Sequence, residues 1–208
     1  MDNILYLKQY YAMKISPENQ NKVRDIENEL FNVELFNNEK TVFPNRVFKK
    51  QFDKYYILDT DDWFSSEKEF NKLMQFVKEN GEQKIYNTVP SFHNIDGLEF
   101  PVKSSYQNYV SEQTFEFEKN NSYNGIGLRM APEMFYFDPS KKWAIVFDLT
   151  NNIFIVGLDN DLNKNFEEKF NGQFNSIEQH LDFLEETNGS KLNNKEEIIS
   201  YYSQKNFR

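Results

Sequence analysis

His93 is one of only two histidines in the chain and sits in Pro90-Ser91-Phe92-His93-Asn94-Ile95-Asp96-Gly97, a loop by composition. A loop histidine three residues from an aspartate has the makings of a general base held by a carboxylate, with Asp96 as the orienting group. Ser91 is the nearest hydroxyl, and no convincing nucleophile lies close by in sequence. A solvated loop histidine is the simpler account, because a triad is defined by geometry rather than by sequence distance. Asp59, Asp61 and Asp62 form an acidic cluster after a strand-like run ending near Leu58. Carboxylates at the end of a strand can bind Mg²⁺. They also suit the N-terminus of the helix that follows, where the dipole stabilises negative charge, and that reading needs no metal.

Asp159, Asp161, Asn163 and Asn165 alternate like the first half of a calcium loop. Such a loop requires glycine at its sixth position and glutamate at its twelfth, and those positions hold Lys164 and Phe170. A polar loop is therefore expected there. Arg46, Lys49, Lys50 and Lys54 interleave with Phe48 and Phe52, a pattern that can stack and neutralise single-stranded nucleic acid. The spacing of Phe48, Phe52 and Tyr55 instead suits a buried helical face with lysines snorkelling outward. No phosphate loop, His-Glu-x-x-His or Gly-x-Ser-x-Gly motif occurs, so no catalytic residue, metal or cofactor is assigned.

The elements that would position these residues belong to a chain of 208 residues, long enough to bury roughly 70% of the surface its unfolded form exposes. A single α+β domain over residues 1–208 is expected. There is no cysteine, and the N-terminus lacks the basic and apolar regions of a signal peptide. Both features, with a mean hydropathy of −0.79, fit a soluble protein of the cytoplasm. With 24 basic and 33 acidic residues the net charge is −9, which repels nucleic acid and anionic lipid and favours a basic protein partner. Aromatics reach 17% of the chain, and an ordinary core accounts for them.

Ser16-Pro17 reads as the start of a helix whose stripe is Val23, Ile26 and Leu30. Ser66 with Glu69 reads as a capping box ahead of Phe70, Leu73, Met74 and Val77, with Gly81 as the stop. Tyr55–Leu58, Thr114–Glu118 and Met134–Phe137 read as strands. The strongest signal is the pair of runs Trp143–Phe147 and Ile153–Leu158, joined by a short Asn-bearing turn. They form a hairpin over residues 143–158 that is apolar at nearly every position, which places it centrally in a mainly antiparallel sheet with both faces covered by helices. Ser176 and Gln179 cap a helix with the stripe Ile177, Leu181 and Leu184, ended by Asn188-Gly189, and His180 is expected on its polar side. A last helix is expected from about Lys195 to Ser203, with Ile198, Ile199 and Tyr202 inward.

The segment Gly127-Leu128-Arg129-Met130-Ala131-Pro132-Glu133 and the hairpin at Trp143–Leu158 resemble small bacterial immunity proteins. The resemblance covers about 30 residues, a strand followed by a Trp-initiated apolar hairpin. It implies a cytosolic, non-enzymatic α+β protein that inhibits a cognate toxin by direct binding, with Arg129 and Glu133 as contact residues. Charge points to another surface, the helix on which Glu178, Asp182 and Glu185 recur at i, i+4 and i+7. Two other classes stay open: a metal-dependent hydrolase or nucleotide-handling enzyme using Asp59, Asp61, Asp62 or His93 with Asp96, and a structural or phage-associated protein without intrinsic activity.

Overall fold

A computed structural model describes residues 13–36, 47–59, 67–88, 98–101, 133–148, 153–192 and 194–203. In chain order the elements are β1 (Met13–Lys14), α1 (Pro17–Leu30), α2 (Val33–Phe36), β2 (Lys54–Asp59), α3 (Glu67–Glu79), β3 (Lys84–Thr88), β4 (Leu98–Pro101), β5 (Glu133–Phe137), β6 (Trp143–Asp148), β7 (Ile153–Leu158), α4 (Asn160–Phe170), β8 (Phe174–Asn175), α5 (Ile177–Asn188) and α6 (Lys195–Ser203). The strands form one sheet in the order β1-β4-β3-β5-β6-β7-β2-β8, and every pairing among the described residues is antiparallel. The fold is α+β.

The hairpin lies at the centre, as its composition predicts. Trp143 pairs with Leu158 and Asp148 with Ile153, so Asp148 closes β6 and the turn residues 149–152 lie outside the described residues. All twelve positions of the two strands are buried. Strand alternation then sorts their side chains onto two faces. Trp143, Ile145, Phe147, Phe154, Val156 and Leu158 face α3 and α4, where Phe76 meets the Trp143 ring edge-on at 6.1 Å. Ala144, Val146, Ile153 and Ile155 face α1, α5 and α6. On that second face Phe31 stacks on Phe135 at 3.9 Å, and Tyr55 meets Tyr202 edge-on at 5.0 Å. No helix among the described residues is long and apolar enough to cross a membrane.

The helix starts follow their caps unevenly. Ser176 and Gln179 make the complete reciprocal capping box of α5, and Gly189 ends it with φ of 63°. Ser16 occupies the N-cap of α1, but its hydroxyl donates to the Glu18 carboxylate instead of accepting a backbone N–H. Gly81 follows α3 with φ of 86°. Ser66 and the Thr114–Glu118 segment lie outside the described residues.

Two expectations are corrected. Residues 47–53 are not helical: Phe48 makes an isolated antiparallel bridge to Phe31, with Asn32 N–H donating to Val47 O and Lys49 N–H to Leu30 O. Phe48, Phe52 and Tyr55 do pack on one another, as their spacing suggests, but in irregular backbone, with Phe31 against Phe48 and Gly157 against Phe52. Asp159 to Asn165 is not a loop either. Asp159 is the N-cap position of α4, and Leu162, Phe166 and Phe170 supply a buried stripe at i, i+4 and i+8 that the alternating Asp and Asn concealed.

Gly157 shows how closely the second face is filled. A Cβ placed there would lie 2.3 Å from the Phe52 ring, which is itself buried. Gly157→Ala is therefore expected to lower stability by about 1–3 kcal/mol, because the ring has no room to retreat. Trp143→Ala is expected to cost about 3–5 kcal/mol through the cavity it leaves. Denaturant titration of each variant checks both figures. A change within about 0.5 kcal/mol for either would contradict the packing around the hairpin.

Candidate functional site

Sequence singles out two groups of residues, and the fold treats them differently. Asp61, Asp62, His93, Asp96 and Arg129 lie outside the described residues. Asp59 is the last residue of β2 and Glu133 the first of β5. The register sets Glu133 opposite Asp148, Asp148 opposite Ile153, and Ile153 opposite Asp59, so the three acidic residues share one row across four strands. Asp148 is fully buried in that row. Among the described residues no group of three or more His, Cys, Asp or Glu side chains is arranged to hold a metal ion.

The basic and aromatic run at residues 46–54 does not form a stacking platform. Phe48 and Phe52 are 0% and 2% exposed, so their faces are closed to a base. Lys50 lies over the Phe52 ring at 4.5 Å and donates to both Asp159 carboxylate oxygens at 2.8 Å and to Lys141 O at 2.6 Å. Lys141 pairs with Glu29 at 2.5 Å and Lys142 with Asp161 at 2.5 Å. These cations clamp helices to the β5–β6 turn.

The acidic helix α5 lies over β2 and β8 at one margin of the sheet, with Ile177 and Leu181 buried in the second core and Leu184 packed against it. Glu178, Asp182 and Glu186 are exposed. Glu185 is not: it is half-buried, accepts the Leu192 N–H at 2.8 Å and pairs with Lys195 at 2.7 Å. Lys195 also bonds Asp182, which ties α6 to α5. The hydrogen bonds from Lys195 and from the Leu192 N–H hold Glu185 below the ordinary carboxylate range, and those to Asp182 and Glu185 raise Lys195. His180, expected on the polar side, is 7% exposed and is buried beside Phe183, with ring centroids 6.4 Å apart. It precedes the buried Leu181, and the packing of α5 on β2 and β8 covers a wider arc of the helix than three stripe positions suggest.

Charge is distributed unevenly among the long helices. Acidic residues number four against two basic in α1, three against three in α3 and three against two in α4. In α5 they number four against none, and α6 adds Glu196 and Glu197 against Lys195 alone. Among the described helices, acidity therefore concentrates on α5 and α6. Sequence reasoning identified the acidic face of α5 but missed Phe183, which is 58% exposed. Phe183 lies off the Ile177–Leu181–Leu184 stripe, and that displacement is a signal readable from the sequence.

No family model matches the chain, and no curated protein or solved structure matches it.

One fully buried carboxyl and one partly buried carboxyl give the protein a pH response. Asp138 is fully buried in the β5–β6 turn, where it accepts from the Ser140 hydroxyl and backbone N–H and from the Trp143 indole. Desolvation raises it from 3.8 to about 6, against the lowering effect of the Ser140 and Trp143 hydrogen bonds. Desolvation likewise raises Glu27 from 4.5 to about 7, against Thr88 and Arg24. Both groups bind protons more tightly folded than unfolded, so stability falls as pH rises from their unfolded values through their folded ones. Between pH 5 and 7.5 the protein is expected to become less stable by on the order of 1–3 kcal/mol per group. Asp138→Asn keeps the shape without the charge and is expected to flatten part of this slope. Thermal melts of both proteins across the range check it, and an unchanged slope in the variant would exclude Asp138 as a source.

Proposed function

We propose that this is a non-enzymatic protein-binding protein of the cytoplasm that engages a basic protein through the acidic face of α5 and α6, in the manner of a bacterial immunity protein occupying its toxin. The concentration of unbalanced carboxylates on these two helices carries the reading. A face with one sign of charge attracts a partner of the other sign and repels nucleic acid, anionic lipid and its own copies. The ion pairs of Lys195 leave Glu178 and Glu186 as the exposed acidic residues of α5 to which no lysine of the described residues is drawn. The lack of cysteine supports a reducing compartment. The resemblance at residues 127–133 and 143–158 supports inhibition as the purpose of binding, with Arg129 and Glu133 as further contacts.

Electrostatic steering and a merely solubilising face differ in kinetics. With the partner isolated from the source cell on the immobilised protein, Glu178→Lys with Glu186→Lys is expected to slow association at low salt by about tenfold or more, while dissociation changes little. Wild-type association should fall steeply as salt is added. An association rate equal in wild type and variant at all ionic strengths would remove this face from the interaction.

A further inference from the structure

Resting on the binding reading above, we propose that Phe183 is the apolar anchor of the α5 face, and that it docks into an apolar pocket framed by lysine or arginine on a basic protein. Phe183 is exposed at 58%, whereas Phe31, Phe48, Phe52, Phe70, Phe76, Phe135, Phe137, Phe147, Phe154, Phe166 and Phe170 are buried and Phe174 packs against the core. Its helix already has an inward stripe in Ile177, Leu181 and Leu184, and the ring lies off that stripe, in a tilted contact with His180. Around it the outward positions Gln179, Asp182, Glu186 and Thr187 are polar. Gln179, Glu186 and Thr187 stand four before, three after and four after Phe183, which places them beside the ring on the helix surface. An aromatic centre within a polar rim is the usual anatomy of a binding hot spot.

The rim decides the occupant. A second copy of this chain would bring two acidic faces together, and nucleic acid or an anionic membrane would meet the same repulsion. A basic surface satisfies both features at once: its cations meet Glu178 and Glu186 while a pocket between them takes the ring. Desolvating an aromatic side chain on docking corresponds to roughly ten- to hundredfold in affinity. Attraction then comes from the carboxylates and residence time from Phe183.

The test uses two synthetic peptides of equal length and equal lysine content as probes. One carries a leucine stripe at helical spacing, and in the other glutamine replaces leucine. Binding to the full chain is measured by fluorescence anisotropy at low and physiological salt. Wild type is expected to prefer the leucine peptide by about tenfold or more. Phe183→Ser is expected to erase that preference while keeping the salt-dependent binding common to both peptides, and Phe183→Leu to restore part of it. Glu178→Lys with Glu186→Lys is expected to weaken both peptides. A leucine preference undiminished in Phe183→Ser would overturn the anchor and leave the acidic-face reading standing. Failure of wild type to bind either peptide would overturn both. Sedimentation of wild type as a dimer that Phe183→Ser dissociates would assign the ring to self-association and overturn the proposed partner. Circular dichroism melts confirm that the exposed substitution leaves the fold intact.

Discussion

The burial of β6 and β7 on both of their faces is the constraint on which the rest of this structure depends. Twelve paired positions shed water on two sides, so the sheet needs a cover on each. Helices α3 and α4 supply one and α1, α5 and α6 the other. Strand alternation divides the work: Trp143, Ile145 and Phe147 anchor the first layer, while Ala144 and Val146 admit the second. Phe52 fills the space over Gly157, where no side chain stands, and this close approach draws an irregular segment into the core.

Polar groups are arranged around that constraint. Asp138 tightens the β5–β6 turn and receives the Trp143 indole N–H, so the largest buried side chain has its polar atom satisfied where the strand begins. A buried indole N–H without a partner would cost about as much as a lost hydrogen bond. Lys50 and Asp159 meet at the same end of the sheet and join the segment before β2 to the start of α4. Tyr56 reaches the other side of α4, donating to Glu167 and Asn163 at 2.7 Å.

These internal pairings also shape the outer field. Lys50, Lys72, Lys84, Lys141, Lys142, Lys169 and Lys195 each pair with a carboxylate of the chain. Cations used in this way hold elements together and offset acids locally, so that among the described helices the least balanced acids are those of α5 and α6. Exposed pairs of this kind contribute little to stability, and their effect is on where charge is left over.

What the sequence determined by itself was local and periodic. The hairpin at 143–158, the capping box of Ser176 and Gln179, the Gly189 stop and the stripe of Val23, Ile26 and Leu30 each need only neighbours within a few residues, so propensity and spacing reveal them. The tertiary structure decided the rest, because those outcomes depend on residues far apart in the chain. Phe48 and Phe52 imitate a helix in spacing, yet Phe31 and Gly157, both remote, fix them in irregular backbone. His180 is buried and Glu185 is drawn to Lys195, which removes both from the polar face that periodicity gave them. The α4 stripe was present in Leu162, Phe166 and Phe170, but alternating Asp and Asn masked it until Tyr56 and Phe76 supplied the surface it packs against. Periodicity reports which side of an element is apolar; only the packed neighbours decide how wide an arc is covered, and so which charges and which ring are left at the surface.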